Sequence, residues 1–212
     1  MKIAVFGATG TIGQRIVNEA LSRGHEVIAI SRDPSRIQKR EHLEARQGEL
    51  MDVASITAAV QGADAVVSSF GPTKPEDTTL YGPIGKNLVG GVTGAGVSRL
   101  LFVGGAGSLE IAPGKLLFDT AEFPAAWRPL AVAHKDTLDY LRSSVSHLDW
   151  SYLSPAAFIE PGIRTGHFRI GGDELVVDEK GESRISTEDF AVALIDELET
   201  PHQIQKRFTV AY

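Results

Sequence analysis

Apolar residues fall in short runs that alternate with stretches of helical spacing, and the alternation continues along most of the chain. Runs of strand length are Lys2–Phe6, Glu26–Ile30, Leu43–Gln47, Ala65–Ser68, Leu100–Val103 and Trp150–Leu153. Spacing such as Ile12, Ile16, Val17, Ala20 and Leu21 predicts helices over Thr11–Ser22, Val53–Val60, Gly85–Ala95, Ala131–Val145 and Thr187–Leu198. Asp52 and Thr187 are read as helix caps, and acidic residues follow Thr187 in its first turn. Gly24, Gly62 and Gly96 stand where helices should stop. Repeated strand–helix units predict one α/β domain over residues 1–212: a doubly wound parallel sheet with helices on both faces and right-handed crossovers.

Two stretches break the pattern. Gly104–Arg128 is rich in Gly, Pro, Phe and Trp, and Pro161–Ser186 holds five glycines and short alternating pieces near His167–Ile170 and Leu175–Val177. Long irregular segments inside a compact domain are uncommon and usually functional. Both follow late strands, at the carboxyl edge of the sheet, so they are expected to wall a substrate cleft.

The turn after the first run is the strongest chemical signal. Gly7-Ala8-Thr9-Gly10-Thr11-Ile12-Gly13 places three glycines three apart, between a strand and a helix. That is the setting a dinucleotide-binding loop requires. Gly7 serves the tight turn, Gly10 lets backbone approach a pyrophosphate, and Gly13 lets the helix pack close to the sheet. The first amides of the helix lack intrahelical partners and point at the anion. This is the Rossmann arrangement, with strand order 3-2-1-4-5-6 and ligand at the switch point beside the first strand.

Composition narrows the setting. A net charge of −6 argues against a general nucleic-acid binder, which would show a basic face. The absence of cysteine excludes disulfides and thiol chemistry. No apolar run approaches ~18 residues, so no membrane span is expected, and strand one opens the chain, so no signal peptide is expected. A cytoplasmic protein is the economical reading, a monomer or dimer whose partner is a small molecule. None of the six histidines (25, 42, 134, 147, 167 and 202) pairs with another at i, i+4, so no metal site is expected.

The second run indicates which nucleotide. It ends Ser31-Arg32-Asp33, where an acid would bind ribose hydroxyls and an arginine would accommodate a 2′-phosphate. A guanidinium fork suits phosphate oxygens, and Arg36 could add a second charge. NADP is favoured over NAD. Asp33 could instead serve NAD or cap the turn before Pro34, and Arg32 could be a solvated surface charge.

Several motifs together resemble a known group. The glycine turn, Val103-Gly104-Gly105-Ala106-Gly107-Ser108-Leu109, Leu148–Pro155, Pro161–Gly166 and Ile185–Ala191 look like the NADH–flavin reductase family of atypical short-chain dehydrogenases/reductases. That family is related to biliverdin-IX-beta reductase and to NmrA-like proteins, and the similarity covers essentially the whole chain. The resemblance implies that Gly7, Ala8, Thr9, Gly10, Thr11, Ile12 and Gly13 hold the pyrophosphate and that Arg32 sits at the ribose phosphate. It places Glu49 and Leu50 at the adenine, with Glu in place of the more usual Asp. Ser68, Ser69, Phe70 and Gly71 match the loop along the cofactor. Gly104 and Gly105 lie beside the nicotinamide, and Pro155, Ala156 and Phe158 match the loop that closes over it.

One departure bears on the reaction. Ordinary short-chain dehydrogenases use Tyr-x-x-x-Lys on one helix, and here the stretch is Ala131-Val132-Ala133-His134-Lys135. Lys135 fits the lysine, Ala131 occupies the tyrosine position, and Gly104-Gly105 stand where a catalytic serine is usual. Alcohol oxidation by the tyrosine mechanism is not expected. Hydride transfer to a flat conjugated ring, a flavin or quinone, needs orientation more than a dedicated acid. Phe118, Phe123, Trp127 and Phe158 could wall such a ring, or serve ordinary packing. His134 could donate a proton, its reference pKa being about 6.5, although it points roughly 100° away from Lys135 around the helix. Arg128, Arg164 and His167 could bind an anionic substrate group, or be paired to Glu160 or Asp173. The reading is an NAD(P)H-dependent reductase with Lys135 and His134 as catalytic candidates. The alternatives are a non-enzymatic NAD(P) sensor of NmrA-like type and, less favoured, an isomerase or dehydratase of the extended short-chain class.

Overall fold

A computed structural model describes residues 1–71 and 81–212. The chain runs β1 (Lys2–Phe6), α1 (Thr11–Ser22), β2 (Glu26–Ser31), β3 (Leu43–Gln47), α2 (Val53–Ala59), β4 (Ala65–Ser68), α3 (Tyr81–Gly94) and β5 (Arg99–Val103). A hairpin of β6 (Glu110–Ala112) and β7 (Lys115–Leu116) precedes α4 (Arg128–Ser144) and β8 (Asp149–Ser154). Then come β9 (Phe158–Glu160), β10 (Arg169–Gly171), β11 (Arg184–Ser186), α5 (Thr187–Glu199) and β12 (Lys206–Ala211).

The six expected strands form the parallel order β3-β2-β1-β4-β5-β8. Val5 of the central β1 lies opposite Ala29 on one side and Val67 on the other. The sheet continues past β8 through two strands beyond the six: β12, parallel to β8, and β10, antiparallel at the edge and overlapping the alternating piece near His167–Ile170. The inner strands β1, β2, β4 and β5 read as near-continuous apolar runs because both faces are covered, whereas β3 at the edge alternates and is partly exposed. Ile3, Val5 and Leu153 pack with α1 and α5. Ala4, Phe6, Trp150 and Tyr152 pack with α2, α3 and α4.

Local chemistry sets the helix ends. Asp52 caps α2 as expected, accepting from the Ala54 amide at 2.9 Å. The cap of α5 is Ser186, one residue before the expected Thr187, and it accepts from the Asp189 amide at 2.9 Å. Gly24, Gly62 and Gly96 all take positive φ at helix ends. Helix α4 starts at Arg128, three residues earlier than its apolar period suggests, because Pro129 fits the first turn.

The second irregular segment is bound along the α1–α5 face and then around the β12 edge. Asp189 accepts from the Thr165 and Gly166 amides, both at 2.8 Å, and Arg164 forks onto Glu19 of α1 at 2.7 and 2.8 Å. Asp173 joins Arg142 of α4 to Arg207 of β12, each at 2.6 Å. The alternation at 175–177 gives no strand; only Glu174 bridges, to Glu110. Hydrogen bonds from Arg164 hold the Glu19 carboxyl below the ordinary carboxylate range, against the opposing pull of burial. Its contribution to stability is therefore complete above its unfolded value of about 4.3 and is lost as pH falls through the lower folded value. Glu19→Gln should lower the thermal midpoint at pH 7, and the gap from the parent should close in acid. A gap independent of pH would remove this account.

Candidate functional site

The turn after β1 is built by two glycines and opened by a third. Gly7 has φ +76°, and a Cβ there would lie 2.7 Å from the Ser69 carbonyl oxygen. A Cβ on Gly13 would lie 2.0 Å from the Gly7 carbonyl oxygen, so α1 can approach the sheet only with glycine there. Gly10 differs: its Cβ would meet nothing nearer than that same oxygen, at 3.3 Å. The fold itself does not demand a glycine at 10, and this residue lines an open cleft. Helix α1 begins at Gly10 with no side-chain cap and no acid in its first turn, whereas α2 and α5 are capped by Asp52 and Ser186. An uncapped helix start facing a cleft is a place for an anion.

The cleft has a volume of about 730 Å³ and runs from this turn across the ends of β2, β3 and β4. Of the expected cofactor residues it gathers Gly7, Thr9, Gly10, Arg32, Glu49, Leu50, Ser69, Phe70 and Gly71. Ala8 is buried, and Ile12 packs against the α1–α5 core, so these two shape the turn. Ser69 holds the loop after β4 to β1, its amide and hydroxyl both donating to the Phe6 carbonyl, at 3.0 and 2.8 Å. The Glu49 carboxylate lies in the cleft and accepts from the Met51 amide at 3.3 Å. Neither irregular segment lines this cleft.

At its ribose end the charges separate. Asp33 is spent on the turn that follows, accepting from the Ser35 amide at 3.2 Å and the Ser35 hydroxyl at 2.5 Å. Arg32 and Arg36 both line the cleft, and neither guanidinium has a partner among the described residues. Arginines elsewhere in the fold are bonded, as in Arg15 to Glu188, Arg46 to Glu44 and Arg99 to Glu197.

The opposite end closes on α4. A cavity of about 10 Å³ lies between Ser68, Phe70, Ile84, Phe102, His134 and Tyr152. The Tyr152 hydroxyl donates to the His134 carbonyl at 3.0 Å and lies 3.2 Å from His134 Nδ1. A Cβ on Gly104 would fall 2.0 Å from the Tyr152 ring, and one on Gly105 would fall 3.2 Å from the His134 ring. These two glycines, expected beside the nicotinamide, are the floor under that pair. Burial pushes the His134 pKa down to about 4, so its imidazole is neutral at pH 7 and carries no spare proton. Lys135 pairs with Asp139 one turn along α4, at 2.5 Å, and lines neither space.

Ala131 is buried against Gly107, where an added Cβ would meet the Ala131 methyl at 2.5 Å and the rings of Phe123 and Phe118 at 3.4 and 3.5 Å. The tyrosine position is thus filled by the first irregular segment. The candidate aromatics do not converge: Phe118 is buried beneath Arg128, while Trp127 is exposed and Phe158 is 67% exposed. Ala156 is buried in the α1–α5 core. The three candidate anion binders are apart as well. Arg128 bonds Asp119, and Arg164 bonds Glu19, where Glu160 or Asp173 was expected. Tyr152 is the residue the motif reading passes over. Its signal was the period-two alternation Trp150, Tyr152, Ser154, which sets a phenol near the carboxyl end of a central strand.

Comparison with known proteins places this geometry. Residues 7–201 match the NAD(P)H-binding family. The chain is 42% identical over 214 residues to YwnB, an uncharacterized protein of Bacillus subtilis (strain 168), across 99% of this chain and 98% of the relative. Among solved structures, a candidate exported protein of Burkholderia pseudomallei is 49% identical with a TM-score of 0.92, covering 100% of both chains. SP1627 of Streptococcus pneumoniae TIGR4, a candidate NADH-flavin reductase, is 38% identical with a TM-score of 0.88, covering 100% of this chain and 99% of that one. With a family match over nearly its whole length and a nucleotide cleft opening on Gly10, the chain belongs to the NAD(P)H-binding family.

Proposed function

We propose that the protein is an NADPH-dependent reductase that passes hydride to a flat conjugated acceptor, a flavin or a quinone. The observation that carries the cofactor assignment is the cleft itself: an uncapped α1 and Gly10 at one point, and at the next two arginines without a partner among the described residues. In this reading the α1 amides and Gly7, Thr9 and Gly10 hold the pyrophosphate, Glu49 and Leu50 border the adenine, and Arg32 and Arg36 hold the 2′-phosphate. The dihydronicotinamide supplies the hydride. The chain's own work is to orient and to exclude water, since Ala131, packed on Gly107, offers no phenol from α4. The likeness to SP1627 supports a flavin as acceptor. Among the described residues no helix is long and apolar enough to cross a membrane, and we place the protein in the cytoplasm.

Two measurements test this. Calorimetric titration should give tighter binding for NADPH than for NADH. Arg32→Ala should weaken NADPH by about 10- to 100-fold, the worth of one charge-assisted contact, and leave NADH unchanged. Equal affinities in the parent, unmoved by the substitution, would refute the NADP assignment. Turnover is followed as loss of nicotinamide absorbance with FMN, FAD, riboflavin and simple quinones. Tight NADPH binding with no turnover on any of them would support the sensor reading instead.

A further inference from the structure

The missing α4 tyrosine directs attention to the phenol that does stand at the inner end of the site. Tyr152 is 1% exposed on β8, and its ring occupies the space left by Gly104. So the glycine found where a serine is usual is what admits this ring. The phenol has one hydrogen, donated to the His134 carbonyl; the 3.2 Å contact to Nδ1 is then a bond in which Nδ1–H donates to the phenol oxygen. A neutral imidazole with its proton on Nδ1 stabilises a phenolate without giving up a charge of its own.

Three further features bear on the phenol. The cavity beside it has room for about one water. It is lined by Ser68, which is 4% exposed. Phe70 lines both this cavity and the large cleft and stands between them. On the neighbouring strand the buried Arg207 stands in register with Tyr152 and favours the phenolate electrostatically.

We propose that Tyr152 is the phenol of this site: it turns its single O–H from the His134 carbonyl to the carbonyl oxygen of a quinone-type acceptor admitted past Phe70, and it protonates that oxygen when hydride arrives. The inference rests on the reductase reading above. The hydride leaves the dihydronicotinamide with its electron pair and bonds to the acceptor, which is reduced as the nicotinamide is oxidised. The charge this leaves on the acceptor oxygen takes the proton from the Tyr152 O–H. The phenolate, held by His134 Nδ1–H, regains a proton from water as product departs. Among the described residues, the charged or titratable groups around Tyr152 include His134 from α4 and Arg207 from β12, the latter paired to Asp173 and through it to Arg142. Phe102 of β5, stacked on the Tyr152 ring with centroids 6.4 Å apart, and Ile84 of α3 add no charge.

The test compares the parent with Tyr152→Phe, which keeps the ring, and His134→Gln, which removes the imidazole. NADPH affinity should be unchanged in both. In Tyr152→Phe, kcat should fall at least about 100-fold, the usual worth of a positioned acid, and the alkaline limb of the pH profile should vanish. The four tyrosines are also titrated by their phenolate absorbance, with and without an unreactive quinone analogue. The parent should show one phenol whose ionisation the analogue displaces, and that transition should be absent in Tyr152→Phe. A Tyr152→Phe variant with parental kcat and pH profile overturns the proposal. Should the parent reduce no acceptor, the reductase reading fails, and the titration decides alone: an analogue that leaves Tyr152 undisturbed overturns the site.

Discussion

Valine in place of Gly10 is expected to abolish NADPH binding while leaving the fold intact, and alanine in place of Gly13 is expected to do the reverse. The two residues sit three apart in one turn, but they are glycines for different reasons. Gly10 has φ −77°, which any L-residue adopts, and its missing Cβ faces the cleft with only the Gly7 oxygen near, at 3.3 Å. A valine there costs the unliganded protein little. It would stand where a pyrophosphate must approach the α1 amides, and losing two charge-assisted contacts of about 1.5–3 kcal/mol each weakens affinity by more than about 100-fold. In Gly13→Ala the new Cβ would instead lie 2.0 Å from the backbone oxygen of Gly7, which cannot turn aside as a side chain can. Overpacking of that kind costs about 3 kcal/mol, a fall of roughly 6–12 °C in midpoint for a chain of this size. Thermal melts and NADPH titrations of both variants check the pair. A Gly10→Val protein that binds NADPH as the parent does would displace the cofactor from this turn.

The turn was legible because its chemistry is local. Strand, glycines and helix are contiguous, and each glycine answers to a neighbour within a few residues or to the loop after β4. The inner parallel strands were legible for a similar reason: β1, β2, β4 and β5 are covered on both faces and read as near-continuous apolar runs. What the sequence hid depends on contacts across the chain. Strand β12 opens on Lys206 and Arg207 and so starts like a surface segment, yet the Arg207 guanidinium is buried by its bonds to Asp173 and to the Ser108 carbonyl, 99 residues away. Arg164 had two plausible acidic partners nearby and took Glu19, on α1, because the segment from 161 lies along the α1–α5 face. Asp33 had two roles open to it, and the turn at Pro34 claimed it. His134 looked like a titrating donor by its reference pKa; desolvation under α4 removes that role and leaves it as a partner for Tyr152.

The largest loss of stability is expected from Glu197→Ala, at the edge of the sheet opposite the cofactor turn. Glu197 is 5% exposed on α5, and its carboxylate gathers the Arg99 guanidinium at 2.9 Å, the Ser151 hydroxyl at 3.1 Å, and the amides of His202 and Gln203 at 2.9 and 3.0 Å. It therefore ties β5, β8 and α5 to the loop that leads into β12. Arg99 is itself buried, and burial drives its pKa down while Glu197 pulls it back. Removing the carboxylate leaves the buried Arg99 charge without its counter-ion and unpairs the 202 and 203 amides, while Ser151 keeps its donation to the Gln203 carbonyl at 2.8 Å; the loss costs about 3–5 kcal/mol, or roughly 6–20 °C in midpoint. Because the loss is desolvation left uncompensated and not attraction forgone, removing both charges should hurt far less. Arg99→Met with Glu197→Leu is expected to recover most of the midpoint lost in Glu197→Ala, and NADPH affinity should be parental in every variant below its melt. A double variant no more stable than Glu197→Ala would show that the carboxylate works by bonding the 202–203 amides, and that Arg99 is incidental.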